Sequence, residues 1–301
     1  MDPSSRLYQV LAQPDLDEPV LVMAPEGWID AGGAGAAAVA AVLASAQTEV
    51  VATFADDELI DYRARRPVSH ISDGVYTDLD WPSIELRAGS DGHGHDLLVL
   101  TGPEPDQRWR AFADAVAELG GIFGVRLLVG LGAFPAPVPH TRPTTLAASA
   151  TTAELARRIG IVAATIEVPA GILAAVERKL ATLGTPGMGI WARVPHYAAS
   201  APYPEASLLL LQGLAEVTGI VVDTSGLQEA ADATRRHLDE LTANSVQHQA
   251  LVRQLEAQAD AEDAEDAETG QARAASAGWG TLPTGDELAA ELEQFLRDEE
   301  K

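Results

Sequence analysis

The sequence contains no cysteine, few basic residues and few aromatic ones. Among 301 residues there are 20 lysine and arginine residues, and aromatic residues make up 5%. The absence of cysteine excludes disulfide bonds, thiolate catalysis and cysteine-ligated zinc or iron–sulfur centres. No apolar run approaches the ~18–20 residues of a membrane span, and residues 1–13 lack the basic-then-apolar order of a signal peptide. We therefore expect a cytoplasmic protein with no membrane partner.

Acidic residues outnumber basic ones by 45 to 20, which gives a formal net charge of −25. A chain of this charge repels phosphate backbones, so we expect no nucleic-acid partner. The excess is concentrated near the end of the sequence, where residues 256–301 hold 14 acidic and 3 basic residues. With 47% hydrophobic residues, the chain is still long and apolar enough to bury a core.

Short apolar runs that alternate with helical segments predict an α/β fold. The segments at 20–24, 97–100 and 125–131 are apolar on both alternating faces, as strands buried on both sides of a sheet are. We expect them to be central neighbours in one mixed, mainly parallel sheet flanked by helices. A helix at 34–45 and a strand at 49–54 complete an opening strand–loop–helix–strand unit, which predicts a right-handed crossover between parallel strands.

The alternation of short apolar runs and helical segments ends after Gly226. We divide the chain into an α/β domain (1–222), a helical extension (223–258), an acidic and small-residue linker (259–285) and a terminal amphipathic helix (286–301). The alanine–acid repeat at 259–267 has no apolar face with which to bury a core, so we expect residues 260–267 to be a solvated linker or a lone exposed helix. Four apolar side chains share one face of the terminal helix and are an expected interaction surface. They are Leu288, Leu292, Phe295 and Leu296.

Four stretches, in their order and spacing, together resemble the proteasome assembly chaperone 2 family in its bacterial, actinobacterial-type branch. They are Gly27 to Gly32, Leu100 to Pro105 followed by Arg108 and Trp109, Pro137 to Pro143, and Trp191 to Tyr197. The resemblance spans roughly residues 7–222. It implies a nucleoside-phosphorylase-like fold, with a mixed, mainly parallel sheet between helices. Eukaryotic relatives act as chaperones in proteasome assembly, which makes a chaperone-like role the implied function.

The loop after the first buried strand is the first candidate ligand site. It contains Glu26, Gly27, Asp30 and Gly32 and lies between the carboxyl end of a strand and a helix N-terminus. Ligands of open α/β sheets favour this position, because free backbone N–H groups and the helix dipole attract anions. A tight strand–helix turn capped by Asp30 would have the same composition, and the spacing is neither GxGxxG nor a P-loop. Both interpretations stay open on the sequence.

His140 and Arg142, in a proline-bounded loop after another buried strand, form the second candidate. An imidazole and a guanidinium together could bind a carboxylate or phosphate, or serve as base and oxyanion clamp. With Glu104 and Asp30 they would line a phosphorylase-like cleft, in which His140 and Glu104 are the candidate catalytic residues. The alternative is a rigid structural loop in which Arg142 pairs with Glu104 or Asp30. No serine lies in a nucleophile elbow, so hydrolase chemistry lacks support.

Metal binding has one candidate segment. Asp91, His93, His95 and Asp96 place carboxylates and imidazoles at a spacing that could chelate zinc. The glycines at 89, 92 and 94 equally describe a turn. We expect no bound metal, with His93 and His95 as the ligands to test, and no cofactor.

These observations favour a non-enzymatic binding or assembly factor with a chaperone-like role. We expect it to work as a homo-oligomer, with a trimer favoured, and to recognise a protein partner through its acidic tail. The alternative is an enzyme or sensor that binds a small anionic ligand in the cleft.

Overall fold

The computed structural model describes residues 7–27, 29–159, 161–162, 167–269 and 273–274. Its strands are β1 (Tyr8–Val10), β2 (Val20–Met23), β3 (Glu49–Phe54), β4 (Val68–Ser72), β5 (Val75–Asp80), β6 (Glu85–Ser90), β7 (Asp96–Thr101), β8 (Leu127–Ala136), β9 (Leu146–Ala150), β10 (Ile161–Val162), β11 (Gly187–Pro195) and β12 (Arg273–Ala274). Its α-helices are α1 (Ala34–Ser45), α2 (Asp56–Leu59), α3 (Trp109–Ile122), α4 (Ala153–Ile159), α5 (Ile172–Thr182), α6 (Pro204–Thr218), α7 (Ser225–Ala243) and α8 (Val246–Thr269). The terminal helix expected at 286–301 lies outside the described residues.

Eight strands form one mixed sheet in the order β1-β3-β6-β7-β2-β8-β11-β9. The four central strands, β7, β2, β8 and β11, are parallel, whereas the flanking strands pair antiparallel. The predicted central neighbours are confirmed, because β2 pairs with β7 on one side and with β8 on the other. The mixed sheet with flanking helices is therefore as expected, while the likeness to nucleoside phosphorylases stays a prediction.

β2 and β3 run in the same direction in one sheet, as the expected crossover requires, but they are not neighbours. β3 pairs antiparallel with β1 and with β6, and both β6 and β7 lie between it and β2. The antiparallel pair β6–β7 supplies the neighbour of β2 instead. β3 is also less completely buried than β2, as suits a strand near the edge of a sheet.

Helices cover both faces of the sheet. On one face α1 and α6 share a hydrophobic core with the strands, through side chains such as Val42 and Leu210. On the other face α3 and α5 do the same, through Phe112 and Leu180. The alanine-rich α1 comes so close to β8 that a Cβ on Gly35 would lie 2.8 Å from the carbonyl oxygen of Leu131. The small side chains of α1 therefore permit this close packing.

The C-terminal helices differ from the predicted division. A break at residues 244–245 separates α7 from α8, and α8 continues through residue 259, where the linker was expected to begin, as far as Thr269. This segment, for which a solvated linker or a lone exposed helix was expected, is helical. Val252 and Leu255 of α8 are buried, so the helix packs against neighbouring elements. Within the described ranges, no helix has both the length and the apolar character required to cross a membrane.

β4 and β5 form a separate two-stranded antiparallel hairpin. Its turn residues Asp73 and Gly74 both have positive φ, 50° and 81°, as a type I′ hairpin turn requires. Every residue of both strands is exposed. The segment at 61–80, for which the sequence predicted an excursion or a hairpin, therefore contains a hairpin with neither face buried.

Candidate functional site

The candidate residues lie on loops that follow β2, β7 and β8. Because these three strands are parallel neighbours, their carboxyl ends share one edge of the sheet, the edge that ligands of α/β proteins favour. Together with Thr141 and with Arg193 of β11, which were not candidates from the sequence, these residues fall into two groups according to their partners. The capping group comprises Glu26, Gly27, Asp30, Gly32 and Glu104. The docking group comprises His140, Thr141, Arg142 and Arg193.

Asp30 caps α1. Its Oδ1 accepts a hydrogen bond from the N–H of Gly35 (2.7 Å), and its Oδ2 accepts one from the N–H of Ala36 (3.0 Å). Burial raises the pKa of Asp30, the two N–H groups oppose this rise, and the charge of Glu26 adds to it. The carboxylate thus uses the helix N-terminus that an anionic ligand would need.

Gly32 fastens the same loop to the segment before α6. Its N–H donates to the carbonyl of Ala199 (2.7 Å), and its carbonyl accepts from the N–H of Tyr203 (3.0 Å). Its φ is +67°, and a Cβ there would lie 2.6 Å from the Cβ of Tyr203. A glycine is needed for both reasons, so its role in the fold is structural.

Glu104 caps α5 in the same manner. Its Oε1 accepts a hydrogen bond from the N–H of Ile172 at 2.6 Å, at the first residue of that helix. Its own N–H donates to the carbonyl of Glu26 (2.8 Å), which links the loops after β2 and β7. A Cβ on Gly27 would lie 2.7 Å from Oε2 of Glu104, so this glycine makes room for the carboxylate.

His140 is buried, with a relative exposure of 1%. The hydroxyl of Tyr197 accepts a hydrogen bond from its backbone N–H (2.8 Å) and lies 2.7 Å from its Nδ1. The other nitrogen of the ring is Nε2. That atom is 3.3 Å from Oδ1 of Asp239 in α7, close enough for electrostatic attraction but without hydrogen-bond geometry. Burial lowers the pKa of His140, and Asp239 opposes this shift.

Arg142 and Thr141 hold α8. Arg142 donates from Nε to Oδ1 of Asp260 (2.7 Å) and from Nη2 to Oδ2 of the same side chain (2.9 Å). Its Nη1 lies 3.2 Å from Oε1 of Glu256, which also accepts from the Thr141 hydroxyl (2.6 Å). The paired geometry with Asp260 is the fork that guanidinium and carboxylate groups favour. The expected anion-binding residue therefore binds carboxylates of its own chain.

Arg193 on β11 extends this contact but was not a candidate from the sequence. It is only 6% exposed, and its Nη1 is 3.4 Å from Oε2 of Glu262 on α8. Among the described residues, its buried Nε and Nη2 atoms have no hydrogen-bond partner. The sequence offered one sign of this role. Arg193 lies between the apolar residues Ala192 and Val194 of a predicted strand, and a guanidinium buried there requires a partner.

No hydrogen bond or ion pair among the described residues joins His140 or Arg142 to Glu26, Asp30 or Glu104. Each charged side chain in the two groups, except Glu26, has partners elsewhere in the fold. The capping group stabilises helix N-termini, and the docking group holds α7 and α8. A role in catalysis or ligand binding for any of these residues stays a prediction.

The expected metal segment is organised around one carboxylate. Oδ1 of Asp91 accepts hydrogen bonds from the N–H groups of His93 and His95. Its Oδ2 lies 2.8 Å from Nδ1 of His95 and accepts from the N–H of Val221. Burial opposes ionisation of Asp91, but these hydrogen bonds prevail and lower its pKa. Among the described residues, no group of three or more His, Asp or Glu side chains is arranged to hold a metal ion.

Glu177 is a second charged residue that sequence reasoning missed. It lies buried on α5, and its Oε1 has no hydrogen-bond partner in the ranges that the structure describes. Burial alone raises its pKa to about 8. In the sequence, Glu177 follows Val176 on the apolar side of a predicted helix. This position indicates burial only weakly, because long acidic side chains there usually reach solvent.

Several solved structures are similar to this chain. A Mycobacterium tuberculosis protein of unknown function is 36% identical, with a TM-score of 0.82 over 89% of this chain and 94% of its own. A Corynebacterium glutamicum protein of unknown function is 34% identical, with a TM-score of 0.81 over 86% and 98%. A Mycobacterium tuberculosis protein described as a proteasome-assembly chaperone homologue is 34% identical, with a TM-score of 0.72 over 77% and 99%. No curated protein matches the chain.

The sequence profile of one family matches residues 24–242, which is more than half of the chain. This range includes both the capping group and the docking group, together with α7 almost to its end. Since the bacterial relatives also exceed 30% identity over most of its length, the chain belongs to the PAC2 family.

Proposed function

We propose that this protein is a non-enzymatic, chaperone-like assembly factor that acts as a homo-oligomer, with a trimer favoured, on a protein partner. Membership of the PAC2 family supports this proposal, as does a 34% identical relative described as a proteasome-assembly chaperone homologue. The acidic composition of the chain supports a protein partner over nucleic acid. Its expected place of action is the cytoplasm.

The proposal rests on one observation: the candidate catalytic residues are engaged by other residues of the same chain. A general base needs hydrogen-bond reach to a substrate proton. Glu104 instead caps α5, and His140 is enclosed by Tyr197 and Asp239. Likewise, Arg142 is bound to Asp260 and Glu256. This arrangement fits a protein that binds partners through its surface better than it fits an enzyme with an active site.

One observation favours the alternative, a site for a small anion. Two buried nitrogen atoms of Arg193 have no partner within the described part of the chain, and buried polar atoms of this kind call for an explanation. An anion bound beside α8 would satisfy them. Native mass spectrometry of the purified protein tests this alternative, which predicts a retained small anion that is lost in Arg193→Met.

The proposed function is tested by affinity purification of the tagged chain from its own cells at native expression. We expect a protein partner in stoichiometric amount, retained after cross-linking and absent from a tag-only control. A preparation that carries a stoichiometric small anion and no protein partner would overturn the proposal in favour of the alternative.

A further inference from the structure

Glu177 places a carboxyl group between α5 and β11. The residue is 7% exposed, and its Oε1 accepts no hydrogen bond from the described residues. Two glycines of β11 make room for the side chain. A Cβ on Gly187 would lie 3.4 Å from Cγ of Glu177, and a Cβ on Gly189 would lie 3.2 Å from Oε1. An ionised carboxylate is costly in such a place, so burial favours the neutral acid.

Two further polar side chains meet Glu177 above Gly189. A Cβ on this glycine would lie 2.7 Å from Nε1 of Trp191 and 2.9 Å from Oγ of Ser149. With Oε1 of Glu177, three polar atoms therefore lie within 3.2 Å of one point. The indole N–H of Trp191 donates to the hydroxyl of Ser149 (3.1 Å) and not to Oε1 of the carboxyl group. Glu177, Trp191 and Ser149 together are named the Glu177 cluster.

The Glu177 cluster joins three elements of the fold. Glu177 belongs to α5, Trp191 to β11 and Ser149 to β9, the last strand of the sheet. Ser149 lies opposite Gly189 in the antiparallel pairing of β9 with β11. Ser149 is exposed, whereas Trp191 is half-buried and packs against the core to which α5 contributes. The hydrogen bond from Trp191 to Ser149 thus links β11 to an edge strand beside a buried acid.

The charges on the elements around Glu177 do not balance its carboxyl group. α3, α5, β9 and β11 carry six other charged side chains, which are Arg110, Asp114, Glu118, Arg178, Lys179 and Arg193. None of these six contributes to the shift in the pKa of Glu177, which burial alone raises to about 8. The protonation of Glu177 therefore depends on burial and on the two polar neighbours in its cluster.

We propose that the Glu177 cluster is a proton-dependent switch in which the carboxylate, once Glu177 has lost its proton, takes the N–H of Trp191 away from Ser149. An ionised carboxylate is an acceptor only, and hydrogen bonds to ionised acceptors are roughly twice as strong as those between neutral groups. While Glu177 is neutral, the N–H of Trp191 stays with the hydroxyl of Ser149. Loss of the proton then ties α5 to β11 and frees the edge strand β9 from this bond.

The two states of the switch differ in what they gain and lose. Ionisation puts a charge in a buried position, while the carboxylate gains the indole donor and the exposed Ser149 bonds to water instead. A hydrogen bond to the charged form lowers a pKa. We therefore expect the switch below pH 8, the value that burial alone gives for the pKa of Glu177, and above its ordinary pKa of 4.5. The inference goes beyond the proposed function and does not depend on it.

The first test observes the indole N–H of Trp191 by nuclear magnetic resonance. The full chain labelled with ¹⁵N-tryptophan has five tryptophans, and Trp191→Phe identifies the signal of Trp191. We expect its proton to shift downfield in one step between pH 4.5 and pH 8, because its acceptor changes from a hydroxyl to a carboxylate. The step should be absent in Glu177→Gln and kept in the control Glu216→Gln, which changes an exposed glutamate of α6.

The second test removes the competing acceptor. In Ser149→Ala the N–H of Trp191 is already free to bond to Glu177, so ionisation no longer breaks a hydrogen bond. The midpoint of the step should fall by about 0.5–1 pH unit, since one hydrogen bond contributes on that order. Ser90→Ala, which removes an exposed hydroxyl at the end of β6, is the control and should keep the midpoint of the wild type. Ser149 is exposed, so folding should be unaffected, and the melting temperature checks this.

Three results would overturn the inference. The first is a Trp191 signal that does not move in the wild type, even where the stability of the protein still depends on Glu177, because Glu177 would then titrate without changing the bonds of Trp191. The second is a step that survives in Glu177→Gln. The third is an unchanged midpoint in Ser149→Ala, which contradicts competition between the hydroxyl and the carboxylate for one donor.

Discussion

Arg142 and Asp260 are 118 residues apart in sequence and are joined by two parallel hydrogen bonds of 2.7 and 2.9 Å. The pair links the loop after β8 to the acidic half of α8. Glu256 and Glu262 add contacts to Arg142 and Arg193 on the same side. Two arginines of the body thus contact the acidic half of α8, which also packs through Val252 and Leu255.

The first prediction concerns release of α8. In Arg142→Ala and in Asp260→Ala, we expect faster amide hydrogen exchange across residues 250–262, because the paired hydrogen bonds are lost. The melting temperature should change little, since both side chains are partly exposed. Arg253→Ala, which removes an exposed arginine that donates within α8, is the control and should leave exchange in α8 close to wild type. Unchanged exchange in both test variants would show that apolar packing alone holds the helix.

The second prediction concerns the cap of α1. Asp30→Ala should lower the free energy of unfolding by about 0.5–2 kcal/mol, because the N–H groups of Gly35 and Ala36 lose their acceptors. Asp30→Ser, which keeps a capping oxygen, should recover part of the loss. Urea unfolding measures both. If instead Asp30→Ala is as stable as the wild type and loses partner binding, Asp30 belongs to a functional surface.

The third prediction concerns pH and Glu177. Burial raises the pKa of Glu177 from 4.5 to about 8 in the folded protein. The folded state therefore binds more protons than the unfolded state between these values, and the contribution to stability, complete below pH 4.5, is lost as pH rises through 8. We expect Glu177→Gln to remove this dependence and to be more stable than the wild type at pH 9, on the order of a few kcal/mol.

The control for that experiment is Glu216→Gln, an exposed glutamate on α6. Urea unfolding midpoints measured from pH 5 to pH 9 should fall in parallel for this control and the wild type. Parallel curves for Glu177→Gln and the wild type would mean that Glu177 is ionised in the folded protein.

The fourth prediction concerns the C-terminal segment. Removal of residues 285–301 should weaken partner binding or self-association, because the apolar face of Leu288, Leu292, Phe295 and Leu296 would be lost. The melting temperature of the α/β domain should remain close to wild type. Serine at these four positions should reproduce the deletion, whereas glutamine at Glu291 and Glu293 should not. A large fall in melting temperature would place the segment in the core.

Most of the central sheet could be predicted, because strands buried on both faces leave continuous apolar runs, as Val20–Met23 and Leu97–Leu100 do. The position of β3 could not, because a strand–helix–strand pattern does not reveal that β6 and β7 lie between β2 and β3. The same limit applied to α8. Its alanine–acid repeat has no apolar stripe, so the sequence left a solvated linker and a lone exposed helix open. The structure has a helix, and Arg142 binds its Asp260.

By itself the sequence determined the class of fold, the central strands and the residues able to bind anions or cap helices, since these depend on local composition and periodicity. It also identified Asp30 as the capping residue in one of two open interpretations. Only the tertiary structure decided that Arg142 and Arg193 meet carboxylates of α8 and that His140 meets Tyr197. The physical reason is the separation of the partners in sequence. A hydrogen bond between residues 57 or 118 positions apart depends on the path of the whole chain, and no local sequence pattern records that path.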